Sequence, residues 1–149
     1  MTQKPIALAA DHGGYDLKEA IKAYLDEKGY AYTDFGTHSG EAVDYPDIAV
    51  PACEAVLLGE CACALLFCGT GVGISMAANK IKGIRACCCS DIFSAKYTRV
   101  HNDANALCLG GRVVGAGLAA ELVDAFLGNE FEGGRHQARV DKLTALDNR

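Results

Sequence analysis

Leu65-Leu66-Phe67-Cys68-Gly69-Thr70-Gly71-Val72-Gly73-Ile74-Ser75 joins an apolar run to a loop with glycine at alternate positions, and then to a helix-like segment. Strand, glycine loop and helix start in that order form an anion cradle. Glycine lets the backbone approach a ligand closely, and the first helical turn presents free N–H groups and the positive end of a dipole. Cys68 stands at the mouth of this cradle. A helix start favours the thiolate form of a cysteine beside it. The loop therefore offers oxyanion donors and a candidate base or nucleophile together, and the rest of the chain is expected to bring a phosphorylated substrate to Cys68.

Working outward, strands and helices alternate. Ile6–Ala10 reads as a short buried strand, and Asp11-His12-Gly13-Gly14 turns from it into a helix with Leu17, Ile21, Tyr24 and Leu25 on one face and Gly29 as its stop. Tyr30–Phe35 is a second strand, followed by a polar loop from Gly36 to Tyr45 of the length that tends to be functional. A helix is predicted from Pro46 or Asp47 to before Gly59. Pro51 costs little if Asp47 is the cap, and kinks the helix if it starts earlier. Cys61–Phe67 is the third strand, and the helix after the glycine loop runs to about Asn79. Ile84–Cys89 is the fourth strand, and Ser90 or Asp91 caps a helix running towards His101. Asn105–Leu109 is the fifth strand, followed by Gly110-Gly111-Arg112, a strong helix over Ala116–Leu127 and a last helix from Gly134 to about Leu146.

This alternation predicts an α/β fold with a five-stranded parallel sheet and helices on both faces. Ligands gather at the carboxyl ends of such strands. Asp11-His12, Cys68–Gly73, Ser90-Asp91 and Gly110–Arg112 all follow directly after predicted strands, so the site is expected there.

The 149 residues fit one domain, residues 1–149, with a real core, and 50% hydrophobic with 22% charged residues is a globular composition. A net charge of −5 argues against non-specific nucleic-acid binding. No apolar run spans a membrane, and the run Pro5–Ala10 is too short for a signal peptide, so a cytoplasmic protein is expected. The eight cysteines lack zinc-knuckle spacing: Cys61 and Cys63 are two apart, and Cys87, Cys88 and Cys89 are consecutive. Most read as small hydrophobes in apolar strands.

Other residues qualify for chemistry, each against a plainer reading. His12 shares its loop with Asp11 and Gly13-Gly14 and suits phosphate binding or acid catalysis; the alternative is a surface histidine. Arg135 and Arg139, spaced i, i+4, put two guanidiniums on one helix face, which suits a phosphate as well as a solvated face. His101-Asn102-Asp103 ends a helix, where a histidine also serves as a cap. The glycine loop approaches the dinucleotide fingerprint, with Asp91 downstream. Its third glycine, however, comes one residue early, Ile74 holds the fingerprint position, and the loop follows the third strand rather than the first.

The motifs Ala10-Asp11-His12-Gly13-Gly14, Asp44-Tyr45-Pro46, Cys68 to Ser75, Ala77-Ala78-Asn79-Lys80, Gly83-Ile84-Arg85-Ala86, His101-Asn102-Asp103 and Glu132-Gly133-Gly134-Arg135-His136 occur in this order. With them the whole chain closely resembles the family of the B-type ribose-5-phosphate isomerases and the galactose-6-phosphate isomerase subunits. The resemblance implies a Rossmann-like three-layer αβα sandwich and an aldose–ketose isomerase. The expected reaction interconverts D-ribose 5-phosphate and D-ribulose 5-phosphate through an enediolate, in the pentose phosphate pathway, without metal or cofactor. The enzyme is expected to be a homodimer with active sites at the subunit interface. By the same resemblance Cys68 is the base that moves the proton between C1 and C2. His101, with Asp11 nearby, opens the sugar ring, and Thr70 with the amides of Gly69, Gly71, Val72 and Gly73 stabilises the enediolate. His12, Arg135 and Arg139 bind the phosphate; Asn102, Arg112 and Tyr45 join the substrate-binding set, with His101, Asn102 and Arg112 as candidates for contribution by the partner subunit. One branch of the family carries a glutamate a few residues later instead of the cysteine; Ile74 stands there, so the chain looks like a cysteine-type member. The alternatives are an isomerase of a hexose 6-phosphate (allose or galactose 6-phosphate) and a non-catalytic dinucleotide or phosphosugar binding module.

Overall fold

The computed structural model describes residues 4–149. Five parallel strands, β1 (Ile6–Ala10), β2 (Tyr32–Asp34), β3 (Ala64–Cys68), β4 (Ala86–Cys88) and β5 (Ala106–Gly110), form one sheet in the order β2-β1-β3-β5-β4. The helices are α1 (Tyr15–Lys28), α2 (Tyr45–Leu57), α3 (Val72–Asn79), α4 (Ile92–Val100), α5 (Ala116–Leu127) and α6 (Arg135–Ala145), with a 3-10 turn over Leu146–Asn148. The register sets Ala10 level with Phe67 and Cys68 level with Gly110, so the loops after β1, β3 and β5 start side by side.

The two faces of the sheet are built from different residues. One is filled by Ile6, Leu8, Leu65, Phe67, Leu107 and Leu109, which pack against α1, α4 and α5. The other carries Ala7, Ala9, Ala64, Leu66, Cys68, Ala106 and Cys108, and α2 and α3 rest on it through Ala49, Ala52, Cys53, Ile74 and Ala78. Alternation along each strand sends bulky residues to one side and small ones to the other. Several cysteines are thereby explained as small hydrophobes under α2 and α3. Burial pushes the Cys53 thiol up to about 11 and the Cys63 and Cys89 thiols up to about 12, which leaves them protonated at neutral pH.

Gly29 ends α1 in the left-handed conformation at φ +80°, and Asp91 caps α4 by accepting the Ser94 amide at 2.7 Å. Elsewhere the elements are shifted. α2 starts at Tyr45, earlier than predicted, because Asp44 takes the extended cap conformation and Pro46 fits the first turn. Pro51 then falls inside α2 rather than near its start. Pro51 and Asp47, whose carbonyl loses its helical donor, are both exposed, so water can take the donor's place. β2 and β4, the two edge strands, are each shorter than the apolar runs containing them.

Lys18 is fully buried, a rare place for a lysine. It lies on the apolar face of α1 where Tyr24 was expected; Tyr24 is only partly buried and bonds Asp124 through its hydroxyl. The Lys18 ammonium donates to both carboxylate oxygens of Asp34, at 2.7 and 2.6 Å, and to the Thr37 carbonyl at 2.9 Å. Asp34 also accepts from Lys22 at 2.8 Å and from the Gly36 amide at 2.9 Å. This network fastens the end of β2 and the start of the polar loop to α1.

Candidate active site

The carboxyl edge of the sheet brings three loops together. The loop after β1 is held by Asp11, which is buried and accepts from the amides of Gly13 and Gly14 at 2.9 and 3.1 Å through one oxygen. This tight turn positions His12, whose Nδ1 accepts from the Val43 amide at 3.3 Å and so meets the polar loop Gly36–Asp44. The loops touch backbone to backbone. A side chain at Gly14 would collide with the Phe67 main chain, one at Gly111 with the Gly13 carbonyl, and one at Gly110 would lie 2.6 Å from the Thr70 carbonyl group.

Cys68 ends β3 with only 4% of its surface exposed. The Gly71 amide donates to its sulfur at 3.1 Å. Gly71 has φ +81° and turns the chain into α3. A Cβ there would lie 2.9 Å from both the Cys88 sulfur and the Leu109 backbone carbon, so glycine is required for conformation and for space. Thr70 is exposed, and its Oγ1 accepts from the Val72 amide at 3.2 Å. Tyr45, at the start of α2, lies over Gly73, where a Cβ would stand 2.8 Å from the ring. Cys88 reaches the same loop from β4, and burial, with Cys68 and Cys87 nearby, pushes its thiol up.

Arg112 belongs to this cluster within the same chain. Its amide donates to the Gly69 carbonyl at 2.9 Å, and a guanidinium nitrogen lies 2.9 Å from where a Cβ on Gly69 would be. It therefore needs no partner subunit to reach the glycine loop, contrary to its expected place among candidates for partner contribution. Asp11, His12, Tyr45, Cys68, Gly69, Thr70, Gly71, Val72, Gly73 and Arg112 are thus assembled by one copy.

His101, Asn102, Arg135 and Arg139 are elsewhere. α4 leaves the carboxyl edge at Asp91 and runs back along the sheet, so His101 at its end lies at the amino edge. Nine helical residues cover about 13 Å, and so do the four residue steps of β3 from Ala64 to Cys68. His101 is therefore not near Asp11 of the same chain, and it is one of the candidates for contribution by the partner subunit. Its ring stacks on His136, with centroids 4.1 Å apart and planes at 15°, and leans on Tyr97 at 4.7 Å. The Glu132 amide donates to the Val100 carbonyl at 3.0 Å, which brings the start of α6, and with it Arg135, to His101. Arg139 follows one turn later on the exposed surface. Asp103 is structural: it pairs with Arg99 at 2.9 Å and with Arg85 at 3.3 Å.

The sequence reading passed over His136 as a site residue, although its motif had been noted. It is buried, and its Nε2 has no hydrogen-bond partner among the described residues. Desolvation, the facing His101 and Arg135 hold it below the ordinary imidazole value. A cavity of about 510 Å³ lies at the outer edge of the sheet, between Arg85, Cys87, Asn102 and the end of α6; the glycine loop does not line it. Among the described residues no helix is long and apolar enough to cross a membrane.

Comparison with known proteins places this geometry. The family model described as Ribose/Galactose Isomerase matches residues 6–143. The ribose-5-phosphate isomerase B of Escherichia coli is 52% identical over 146 residues, 98% of each chain. The solved structure of Clostridium thermocellum ribose-5-phosphate isomerase B superposes with a TM-score of 0.94 at 51% identity, covering 96% of this chain and 97% of the other. That of Thermotoga maritima gives 0.94 at 46% identity, covering 96% and 99%. With a family model spanning nearly its whole length, the same sheet and helices, and a cysteine–glycine loop at the carboxyl edge, the chain belongs to the ribose/galactose isomerase family.

Proposed function

We propose that this protein interconverts D-ribose 5-phosphate and D-ribulose 5-phosphate in the cytoplasmic pentose phosphate pathway, as a homodimer. The observation that carries the reading is the Gly71 amide bonded to the Cys68 sulfur within a glycine loop at the carboxyl edge. A hydrogen next to a carbonyl is a weak acid, and removing it at neutral pH needs a matched base with donors aimed at the developing oxyanion. Cys68 takes the proton from one carbon and returns it to its neighbour. Thr70 and the N–H groups of the loop and the first turn of α3 hold the enediolate, since first-turn amides lack helical partners. His12 and Arg112 stand beside the loop and receive the phosphate end, with Tyr45 and Val72 along the sugar. Anchoring the phosphate away from the reacting carbons orients the substrate at little cost to turnover.

The sugar ring must open first, which calls for a second acid–base group. His101 has the right chemistry, and one copy holds it at the opposite edge of the sheet from Cys68. The site is therefore completed by a second copy, which brings His101, Asn102, Arg135 and Arg139 over the glycine loop. Free thiols throughout the chain and the lack of a membrane-crossing helix among the described residues suit a reducing cytoplasm.

The test is ketose formation from ribose 5-phosphate by wild type and Cys68→Ser, in chelator and without added nucleotide, with allose 6-phosphate and galactose 6-phosphate alongside. Wild-type turnover that falls about a hundredfold or more in the variant is expected. A folded wild type active only on a hexose phosphate would overturn the substrate, and an undiminished variant would overturn the base.

A further inference from the structure

His101, His136 and Glu132 bring one potential metal-ligand atom each to within 4.8 Å of one another. A second observation marks the cluster: His136 is more than nine-tenths buried and its Nε2 finds no partner among the described residues, which a native protein seldom tolerates for a polar atom. We propose that these three side chains form a binding site for a divalent transition-metal ion, zinc foremost, and that the ion inhibits the enzyme.

The donor set decides the class of ion. Two imidazoles and a carboxylate suit zinc and its neighbours, with a fourth position left to water; calcium and magnesium prefer all-oxygen sites. The backbone fixes the frame. His101 closes α4, His136 lies in the first turn of α6, and the Glu132 amide is bonded to the Val100 carbonyl, so all three ligands hang from one joint between two helices. Bond lengths near 2.1 Å make the edge of a tetrahedral shell about 3.4 Å, so the ligands must draw together by roughly 1 Å. Glu132 is exposed and His101 partly so, which leaves both free to turn onto the buried His136. His101 breaks its stacking with His136 in doing so and loses a nitrogen to the metal.

Binding is a property of the cluster alone. Inhibition rests on the proposed role of His101 in ring opening, because a coordinated imidazole cannot exchange that proton. The eight thiols of this chain are competing zinc ligands, so the test must separate nitrogen from sulfur. Co²⁺ is titrated into the metal-free full-length protein and followed by its visible absorption, with Zn²⁺ displacement, in wild type, Glu132→Gln, His136→Asn and Cys88→Ser. Turnover of ribose 5-phosphate is measured in parallel. The expected result is one ion per chain, a spectrum without the near-ultraviolet thiolate band, and affinity about tenfold or more weaker in Glu132→Gln and His136→Asn but unchanged in Cys88→Ser. Glu132→Gln should keep the metal-free rate while resisting zinc inhibition. Undiminished binding in Glu132→Gln, or a thiolate band that disappears in Cys88→Ser, would overturn the site. Binding as expected with unchanged turnover would uphold the site and overturn the role given to His101.

Discussion

Cys68→Ser and His101→Asn chains, each inactive alone, should restore activity when refolded together. The two halves of the proposed site lie far apart in one copy. Cys68 ends β3 at the carboxyl edge, and His101 ends α4 at the amino edge, about 13 Å away along the sheet. If a working site takes Cys68 from one copy and His101 from the other, a mixed dimer contains one site with both defects and one with neither. Random pairing of equal amounts makes half of the dimers mixed, so about a quarter of all sites are intact. Each parent should retain about a hundredth of the rate or less, because each lacks an acid–base group. The mixture should therefore rise to roughly a quarter of wild type, far above the mean of its parents. The assay is ribulose 5-phosphate formation after co-refolding, with native mass spectrometry to confirm mixed dimers. If both residues served one chain's site, every site in a mixed dimer would carry a defect. Confirmed mixed dimers with no recovered activity would refute the two-copy site.

Two further perturbations test the framework. Asp34→Asn removes the carboxylate charge that faces the buried Lys18, leaving it an amide oxygen, the Thr37 carbonyl at 2.9 Å and Glu19 at 3.3 Å, and should cost about 3 kcal/mol, or a Tm drop of roughly 6–12 °C. Lys18→Met should cost less, since Asp34 keeps Lys22 and the Gly36 amide; equal losses in thermal or urea unfolding would contradict this asymmetry. Burial works to raise the Asp34 carboxyl, but Lys18, Lys22 and the Gly36 amide outweigh it and hold it below the usual range. Its contribution is thus present above about pH 4 and lost as pH falls through the lowered folded value, a component of acid sensitivity that Asp34→Asn should lack. Gly71→Ala forces a Cβ into a left-handed turn against Leu109 and Cys88, should cost about 1–2 kcal/mol or more, and should lower kcat by displacing the amide from Cys68. Unchanged stability and kcat together would remove that amide from the mechanism.

The central strands are legible because strands buried on both faces read as unbroken apolar runs, and β1, β3 and β5 are wholly buried. The edge strands are less so. Tyr30–Phe35 is an apolar-leaning run, but the strand itself covers only Tyr32–Asp34, and Asp34 turns its side chain to Lys18. Lys18 itself sits three and seven residues before Ile21 and Leu25, on the buried face. Its charge argues for exposure, and the partner that reverses the argument comes from another strand. The gathering of Cys68, His12, Thr70 and Arg112 at one edge is legible from sequence because loops after parallel strands share that edge. The same rule sends the end of a returning helix to the other edge, which separates His101 from Asp11 although both are candidates for chemistry. His136 gives no sign beyond its motif, because its significance lies in a missing hydrogen bond.

The loops at the carboxyl edge press against each other main chain to main chain, with no space for a Cβ at Gly14, Gly110 or Gly111. This has a consequence for how such an enzyme can change over evolutionary time. The floor of this edge is closed to variation, since any side chain there dislodges a neighbouring backbone. New substrate preferences must come from its walls: the polar stretch from Gly36 to Asp44, the exposed ring of Tyr45, and whatever is laid over the opening. Descendants of this fold should keep their floor and diversify their rim.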